Sequence, residues 1–362
     1  MAFVAAKCTQ CGATLDVDNN KDAAICPYCN TAFIVEKAIN NYITQNITIN
    51  LGGEKDFSIV AGELQKYCGE SPTVIIPDNV TVIGAEAFSQ ANITSVVIPA
   101  SVVRIESRAF EYCEMLSKVT LNNGLKEIGN NAFTACARLE EISIPESVRV
   151  IEREAFSACR ALRRVELRDG LKAIDYKAFA SCDSITEITV PKSVMKIGEE
   201  AFAGCLKLQK LTLSEGIAEI GKNAFSASAI TELTIPKSLG NIGIFAFAGC
   251  ATVKKIVISD GVEIIGRSAF QGCTSLTEIT IPNSVKMIDE AAFEKCTSLT
   301  EITLPESVER IERYAFSYCT KLTTINAGNP DLTLGYMPFF MCSKVNVNRP
   351  KKKKKGFFKS LF

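Results

Sequence analysis

At 362 residues with 47 % apolar composition, the chain has material for a large core and is far too long for a disulfide-stapled miniprotein. Lysine plus arginine and aspartate plus glutamate each number 40, a balance that points neither to a nucleic-acid glove nor to an acidic solvating tail. Histidine is absent. Imidazole catalysis is therefore excluded, and a protein-bound metal must be held by sulfur or carboxylate.

The first segment, Met-Ala-Phe-Val-Ala-Ala-Lys-Cys8, has too short an apolar run for a signal peptide, and nothing in the chain approaches ~18 consecutive apolar residues. The expectation is a cytoplasmic protein. In a reducing compartment, fifteen cysteines argue for metal ligands or buried thiols over disulfides. Four of them form two C-x-x-C knuckles, Cys8-Thr-Gln-Cys11 and Cys26-Pro-Tyr-Cys29, at the spacing from which four thiolates surround one Zn²⁺. Gly12 eases the turn after the first knuckle. Residues 1–35 thus look like a zinc ribbon. Four sulfurs close the coordination shell, so the zinc is structural, supplying folding energy to a segment with few apolar groups. Residues 36–56 read as a linker with some strand content.

From there the chain repeats. Phe88, Phe110, Phe133, Phe156, Phe179, Phe202, Phe225, Phe247, Phe270, Phe293 and Phe316 follow one another at 22 or 23 residues, each preceded by alanine. Isoleucine stands five places before every one, and Val, Leu or Ile eight places before. Such a period means a solenoid. A stretch such as Leu299-Thr-Glu-Ile-Thr-Leu304 alternates like a short strand and stops at Pro305, which has no ladder donor. Stacked at ~4.8 Å, these strands should form a parallel sheet on a body of roughly 50 Å. The boundaries follow: an N-terminal cap at 57–76 with a hairpin turning near Ala61-Gly62, coils at 77–328, and a degenerate capping coil at 329–348 where Pro338 replaces the usual alanine.

In the pattern L-x-x-I-x-I-P-x-S-V-x-x-I-G-x-x-A-F-x-x-C, which appears here as Leu276 to Phe293 and Cys296, the sequence resembles the BspA-like, or treponemal-type, leucine-rich repeats. The resemblance covers about residues 57–345. It implies a curved binding scaffold of short parallel strands in about 11–12 coils, and a family whose members are often surface proteins engaging host or matrix partners. With so short an apolar run at residues 1–8, the expectation is that their export signal is missing here.

Ten cysteines (Cys113, Cys136, Cys159, Cys182, Cys205, Cys250, Cys273, Cys296, Cys319, Cys342) occupy one position, three after the phenylalanine. A redox ladder or metal wire is one reading; a small buried side chain at a tight turn is the other. Parallel side-chain vectors ~4.8 Å apart suit neither a disulfide nor a tetrahedron, which favours packing. The coils after Phe88 and Phe225 lack this cysteine and are also one residue shorter. Cys68 is expected to be structural as well.

On the solvent side of the strands, two places before the proline, lies a row rich in threonine; two places earlier the charges alternate from Lys118 through Glu141, Arg164, Glu187, Lys210, Glu232 and Lys255 to Glu278. Opposite charges on neighbouring strands keep register, at about 0.2–1 kcal/mol per pair. Coils with Pro-x-Ser interleave with coils carrying a glycine turn, a second period of 46 residues. The alternation fails at Glu278 and Glu301, where like charges adjoin and offer a candidate contact for a cationic partner.

The tail, residues 349–362, joins Lys351, Lys352, Lys353, Lys354 and Lys355 to Phe357, Phe358, Leu361 and Phe362. Three readings stay open: a solvated tail, a peripheral contact with the anionic inner membrane face, or a docking tag for nucleic acid or protein. The whole reads as a non-enzymatic protein-protein interaction scaffold with one structural Zn²⁺ and a protein partner. The rivals are a nucleic-acid-associated zinc ribbon, an adhesin-like surface protein exported without a signal peptide, and a metal-assisted hydrolase. Against nucleic acid stands the ribbon itself, with only Lys21 facing Asp16, Asp18 and Asp22. Hydrolysis would need an open coordination position.

Overall fold

The computed structural model describes residues 3–7, 14–18, 23–25, 32–34 and 56–351. The chain divides into two units, Met1–Gly53 and Glu54–Phe362. In the first, β1 (Phe3–Lys7) pairs antiparallel with β2 (Thr14–Asp18), and β3 (Ala23–Ile25) with β4 (Ala32–Ile34). The expected zinc ligands Cys8, Cys11, Cys26 and Cys29, and residues 36–55 of the expected 36–56 linker, lie outside the described residues.

The second unit is the solenoid. It opens with the hairpin β5 (Phe57–Val60) and β6 (Glu63–Tyr67), turned by Ala61 at φ 51° and Gly62 at φ 82°. Such a two-residue turn with both central residues left-handed matches the natural twist of a hairpin. β6 then pairs in parallel with the first coil through Leu64 and Ile83, so the hairpin covers the upstream edge.

Each coil carries two strands where the sequence suggested one. A longer strand, from Thr73–Ile75 down to Asn346–Asn348, alternates buried and exposed residues, as in Glu187–Val190. Opposite it sits a two-residue strand, from Val82–Ile83 to Thr333–Leu334, whose second residue is the recurrent isoleucine in every coil but the last. Two residues are too short to show an alternating pattern, which is why the sequence registered only an inward aliphatic position.

The expected parallel pairing of stacked strands is present, but it is divided among several sheets. The longer strands form three separate sheets, interrupted between Arg164–Leu167 and Glu187–Val190 and again between Glu278–Thr280 and Glu301–Leu304. The shorter strands break once, between Glu219–Ile220 and Asn241–Ile242, in the coil that follows the shortened turn at Phe225. What runs without a break is the turn around the phenylalanine. The residues two before and two after it are left-handed in coil after coil, from Glu86 and Gln90 to Met337 and Met341, with φ between 46 and 62° for the non-glycines. Alternating left- and right-handed residues turn every second amide the same way. The N–H groups at these two positions and at the phenylalanine itself donate to carbonyls of the following coil, the phenylalanine amides at 2.7–2.9 Å, from Glu86 through Tyr318.

Inside, the phenylalanine rings stack in one column with centroids 4.7–5.7 Å apart and planes within 17°, each ring at most 1 % exposed. Tyr67 extends the column upstream at 5.1 Å and Phe339 ends it downstream at 6.1 Å, tilted by 31°. Burying one such ring contributes about 1.5–3 kcal/mol. Residues 329–348 form a complete further coil with their own aromatic, short strand and long strand.

The 46-residue period has a hydrogen bond behind it. In the glycine coils, Gly124, Gly170, Gly216 and Gly261 have φ of 114–138°, and a Cβ on any of them would lie 2.1–2.4 Å from a carbonyl of the preceding coil. Their N–H groups donate to Ser147, Ser193, Ser238 and Ser284 of the next Pro-x-Ser coil at 2.9–3.2 Å. Ser101 and Ser307 follow coils without that glycine, and their buried hydroxyls have no partner.

Candidate functional site

The solvent face of the longer strands presents two side-chain rows on a rigid frame. In one, Thr189, Thr212, Thr234, Thr280 and Thr303 are exposed, while Val97, Thr120 and Val257 are half-buried. In the other, Lys118 opposes Glu141 and Glu141 opposes Arg164, and the pairing resumes from Glu187 to Glu278. Two of these neighbours close into ion pairs, Lys210 Nζ to Glu187 at 3.6 Å and Lys255 Nζ to Glu278 at 2.8 Å. The Glu278 carboxylate raises the Lys255 pKa through that hydrogen bond.

The expected clash of Glu278 with Glu301 takes a different form. Both belong to Pro-x-Ser coils, since the coil of Pro282 is followed directly by that of Pro305. Glu278 turns to Lys255, and no ladder joins its strand to that of Glu301. The phase slip in the repeat thus accounts for the adjacent acids and the orphaned Ser307, and one of the two interruptions of the longer strands falls at the same place. Upstream on the same face, a shallow depression of about 350 Å³ is lined by Lys118, Thr120, Glu141, Ser143, Arg164 and Glu166. Ser143 Oγ donates to Glu166 Oε2 at 2.8 Å, and Arg168 Nε lies 3.2 Å from its other oxygen. The serine bond, then the Arg168 charge, hold Glu166 below the ordinary carboxylate range against partial desolvation.

The stacked thiols are free and, apart from half-buried Cys342, buried. They are more than filler. Each Sγ–H donates to the carbonyl of the phenylalanine one coil upstream, at 2.9–3.5 Å, from Cys113 on Phe88 to Cys342 on Phe316. Burial pushes Cys113, Cys159, Cys205 and Cys250 up to about 12, and Cys136, Cys182, Cys273 and Cys296 well above the usual thiol value. A thiol that keeps its proton is neither nucleophile nor ligand. In the short coil after Phe225 the position is held by Ser228, buried and without a partner. Cys68, expected to be structural, is exposed; only its backbone is engaged, donating to Asp56 at 2.7 Å.

Among the described residues no cluster of acids or cysteines could hold a metal ion, and there is no helix long and apolar enough to cross a membrane. The strand pairing brackets the two knuckles: residues 8–13 connect β1 to β2, and 26–31 connect β3 to β4. In the sequence one C-x-x-C lies between β1 and β2 and the other between β3 and β4, and a set of four thiols is the donor chemistry zinc prefers. Of the tail, Lys351 is described and exposed, whereas Lys352, Lys353, Lys354, Lys355, Phe357 and Phe358 are outside the described residues.

The family model "BspA type Leucine rich repeat region (6 copies)" matches residues 58–185, 126–254, 172–296 and 240–359. Among solved structures, a leucine-rich repeat protein from Bacteroides ovatus is 27 % identical with a TM-score of 0.55, over 83 % of this chain and 97 % of that one. The pneumococcal vaccine antigen PcpA shares the fold at 22 % identity and a TM-score of 0.54, over 81 % and 85 % of the two chains. No curated protein matches.

Proposed function

The chain belongs to the BspA-type leucine-rich repeat family, and from that premise we propose that it is a non-enzymatic scaffold that docks a protein partner on the solvent face of its longer strands. The observation that carries this reading is the ordered presentation of exposed Thr and alternating charged rows above a core with rings at most 1 % exposed. The stacked backbone sets the spacing of these rows before a partner arrives, which lowers the ordering cost of binding, and repeat scaffolds bind through such extended surfaces. The depression at Glu141 and Arg164 is a polar hollow in that face, and Glu301, next to a Glu278 already paired with Lys255, is its acidic patch, suited to a cationic segment of the partner.

In the same reading, Cys8, Cys11, Cys26 and Cys29 hold one structural zinc, supported by the two hairpins that flank them. The protein works in a reducing compartment, where its free thiols persist. Affinity capture with the full chain, compared with a chain carrying Glu187→Lys and Glu232→Lys, tests the docking face. The native chain should retain a partner that the charge-reversed one loses. Equal capture by both moves function away from this face. Metal analysis finding one zinc per chain, with four further thiols reacting after chelation, tests the ribbon.

A further inference from the structure

The two ends of the solenoid are finished differently. Upstream, the hairpin β5–β6 closes the core, with Phe57 7 % and Leu64 0 % exposed. Downstream, the last coil leaves its core positions half-open: Leu334, Phe339, Cys342, Val345 and Val347 pack on the core from one side only, where their counterparts in the preceding coil, such as Ile311, Phe316 and Cys319, are fully buried. The forward-pointing amides end here too. The N–H groups of Met337, Phe339 and Met341 take the place of donors that in every earlier coil reach a carbonyl of the next, and among the described residues no carbonyl receives them. Rows of aligned amides terminate in partial positive charge, for the same reason a helix N-terminus does.

Around this end stands an apolar rim. Tyr336 is 63 % exposed, Met341 60 %, Met337 46 % and Phe340 39 %. The fold does not require it, because the same turn positions hold Tyr176, Lys177, Ala180 and Ser181 in one earlier coil and Lys222, Asn223, Ser226 and Ala227 in another. The chain leaves the solenoid from this same coil, after Asn348, into the lysine run. Residues 329–362 contain eight cations, Lys344, Arg349, Lys351–Lys355 and Lys359, against one acid, Asp331.

We propose that the C-terminal end of the solenoid is a docking surface for an anionic lipid bilayer. The Tyr, Phe and Met rim enters the headgroup boundary, lipid oxygens accept from the open amides, and the basic run supplies long-range attraction. An apolar rim next to concentrated cations is the chemistry of an anionic interface; a second copy of this chain would bring a second set of like charges to the contact. The inference does not rest on the scaffold reading, which uses a different face.

Flotation of the full chain with vesicles of phosphatidylcholine alone, and of phosphatidylcholine with phosphatidylserine, tests it. Two variants accompany the native chain: Lys351→Gln through Lys355→Gln together, and Tyr336→Ser with Met341→Ser, all positions whose change should leave the thermal unfolding intact. Binding to serine-containing vesicles should exceed binding to choline-only vesicles at least about 100-fold, and the lysine variant should lose that preference. The Tyr336→Ser, Met341→Ser chain should bind about 10-fold more weakly. Equal or absent binding to both vesicles overturns the proposal, as does a rim variant that binds like the native chain, which would leave attraction to the tail alone. A native dimer in sedimentation velocity that the rim substitutions abolish gives this end to a second copy and overturns it as well.

Discussion

At the residue scale, two small side chains decide how one coil recognises the next. The cysteine three places after each phenylalanine fills the turn and donates its S–H backward, as Cys159 does to Phe133 at 3.2 Å. Burial pushes the Cys159 thiol up to about 12, against roughly 8.5 in an unfolded chain. Below the unfolded value both states keep the proton and stability does not depend on it. Between the two values only the folded state keeps it, so stability falls as pH rises, by about 1.4 kcal/mol per pH unit for each such thiol. Going from about pH 7 to pH 10, the native chain should therefore lose about 2 kcal/mol more than a Cys159→Ala variant in urea unfolding. Equal losses would mean that this thiol ionises freely in the fold. The serine of the Pro-x-Ser turn offers a matched pair. Ser193→Ala removes the acceptor of the Gly170 amide at 2.9 Å and should cost about 1–2 kcal/mol. Ser307→Ala removes a buried hydroxyl that has no partner and should be neutral or stabilising by up to about 1 kcal/mol. Thermal melts of the two variants separate them, and equal effects would sink the explanation of the two-coil period.

At the element scale, the repeat was legible because its signal is covalent and periodic: Ala-Phe, the preceding isoleucine and the proline recur in register. The second strand was not legible, since two residues such as Glu219–Ile220 carry no alternation. Nor was the turn ladder. Its left-handed positions accept Glu154, Lys177, Asn223 and Phe245 in turn, and only Gly204, Gly249 and Gly272 hint at the backbone they share. The alternation of the charge row is visible in the sequence, but the relief of Glu278 by Lys255 and the interrupted ladder beyond it depend on strand geometry that spacing does not specify. Gly272 tests the turn. A Cβ there meets nothing closer than 3.7 Å, so Gly272→Ala probes backbone strain alone at φ 75°. It should cost about 1 kcal/mol. A larger loss would point to a packing contact that the geometry does not contain.

At the scale of the whole molecule, the solenoid is a one-dimensional stack in which each coil touches only its neighbours, so the position of a defect matters as much as its chemistry. Phe202 lies midway, 0 % exposed, with Phe179 and Phe225 both 5.2 Å away. Phe202→Ala deletes a ring from the column with coils on both sides, and the cavity should cost about 3–5 kcal/mol. Phe339, half-buried at the open end, meets one ring, Phe316 at 6.1 Å. Its replacement by alanine should cost about half as much, because one side of the ring faces no coil. The two variants should also differ in how they unfold. Phe339→Ala frays the last coil and leaves one cooperative transition, whereas Phe202→Ala weakens the coupling between two halves large enough to melt separately. Hydrogen exchange reads this directly: amides of the Phe225 to Phe316 coils should open independently of those before Phe179 in the Phe202→Ala chain, and together with them in the native one. Uniform opening in both chains would mean that the unbroken turn ladder, not the aromatic column, carries cooperativity along the stack.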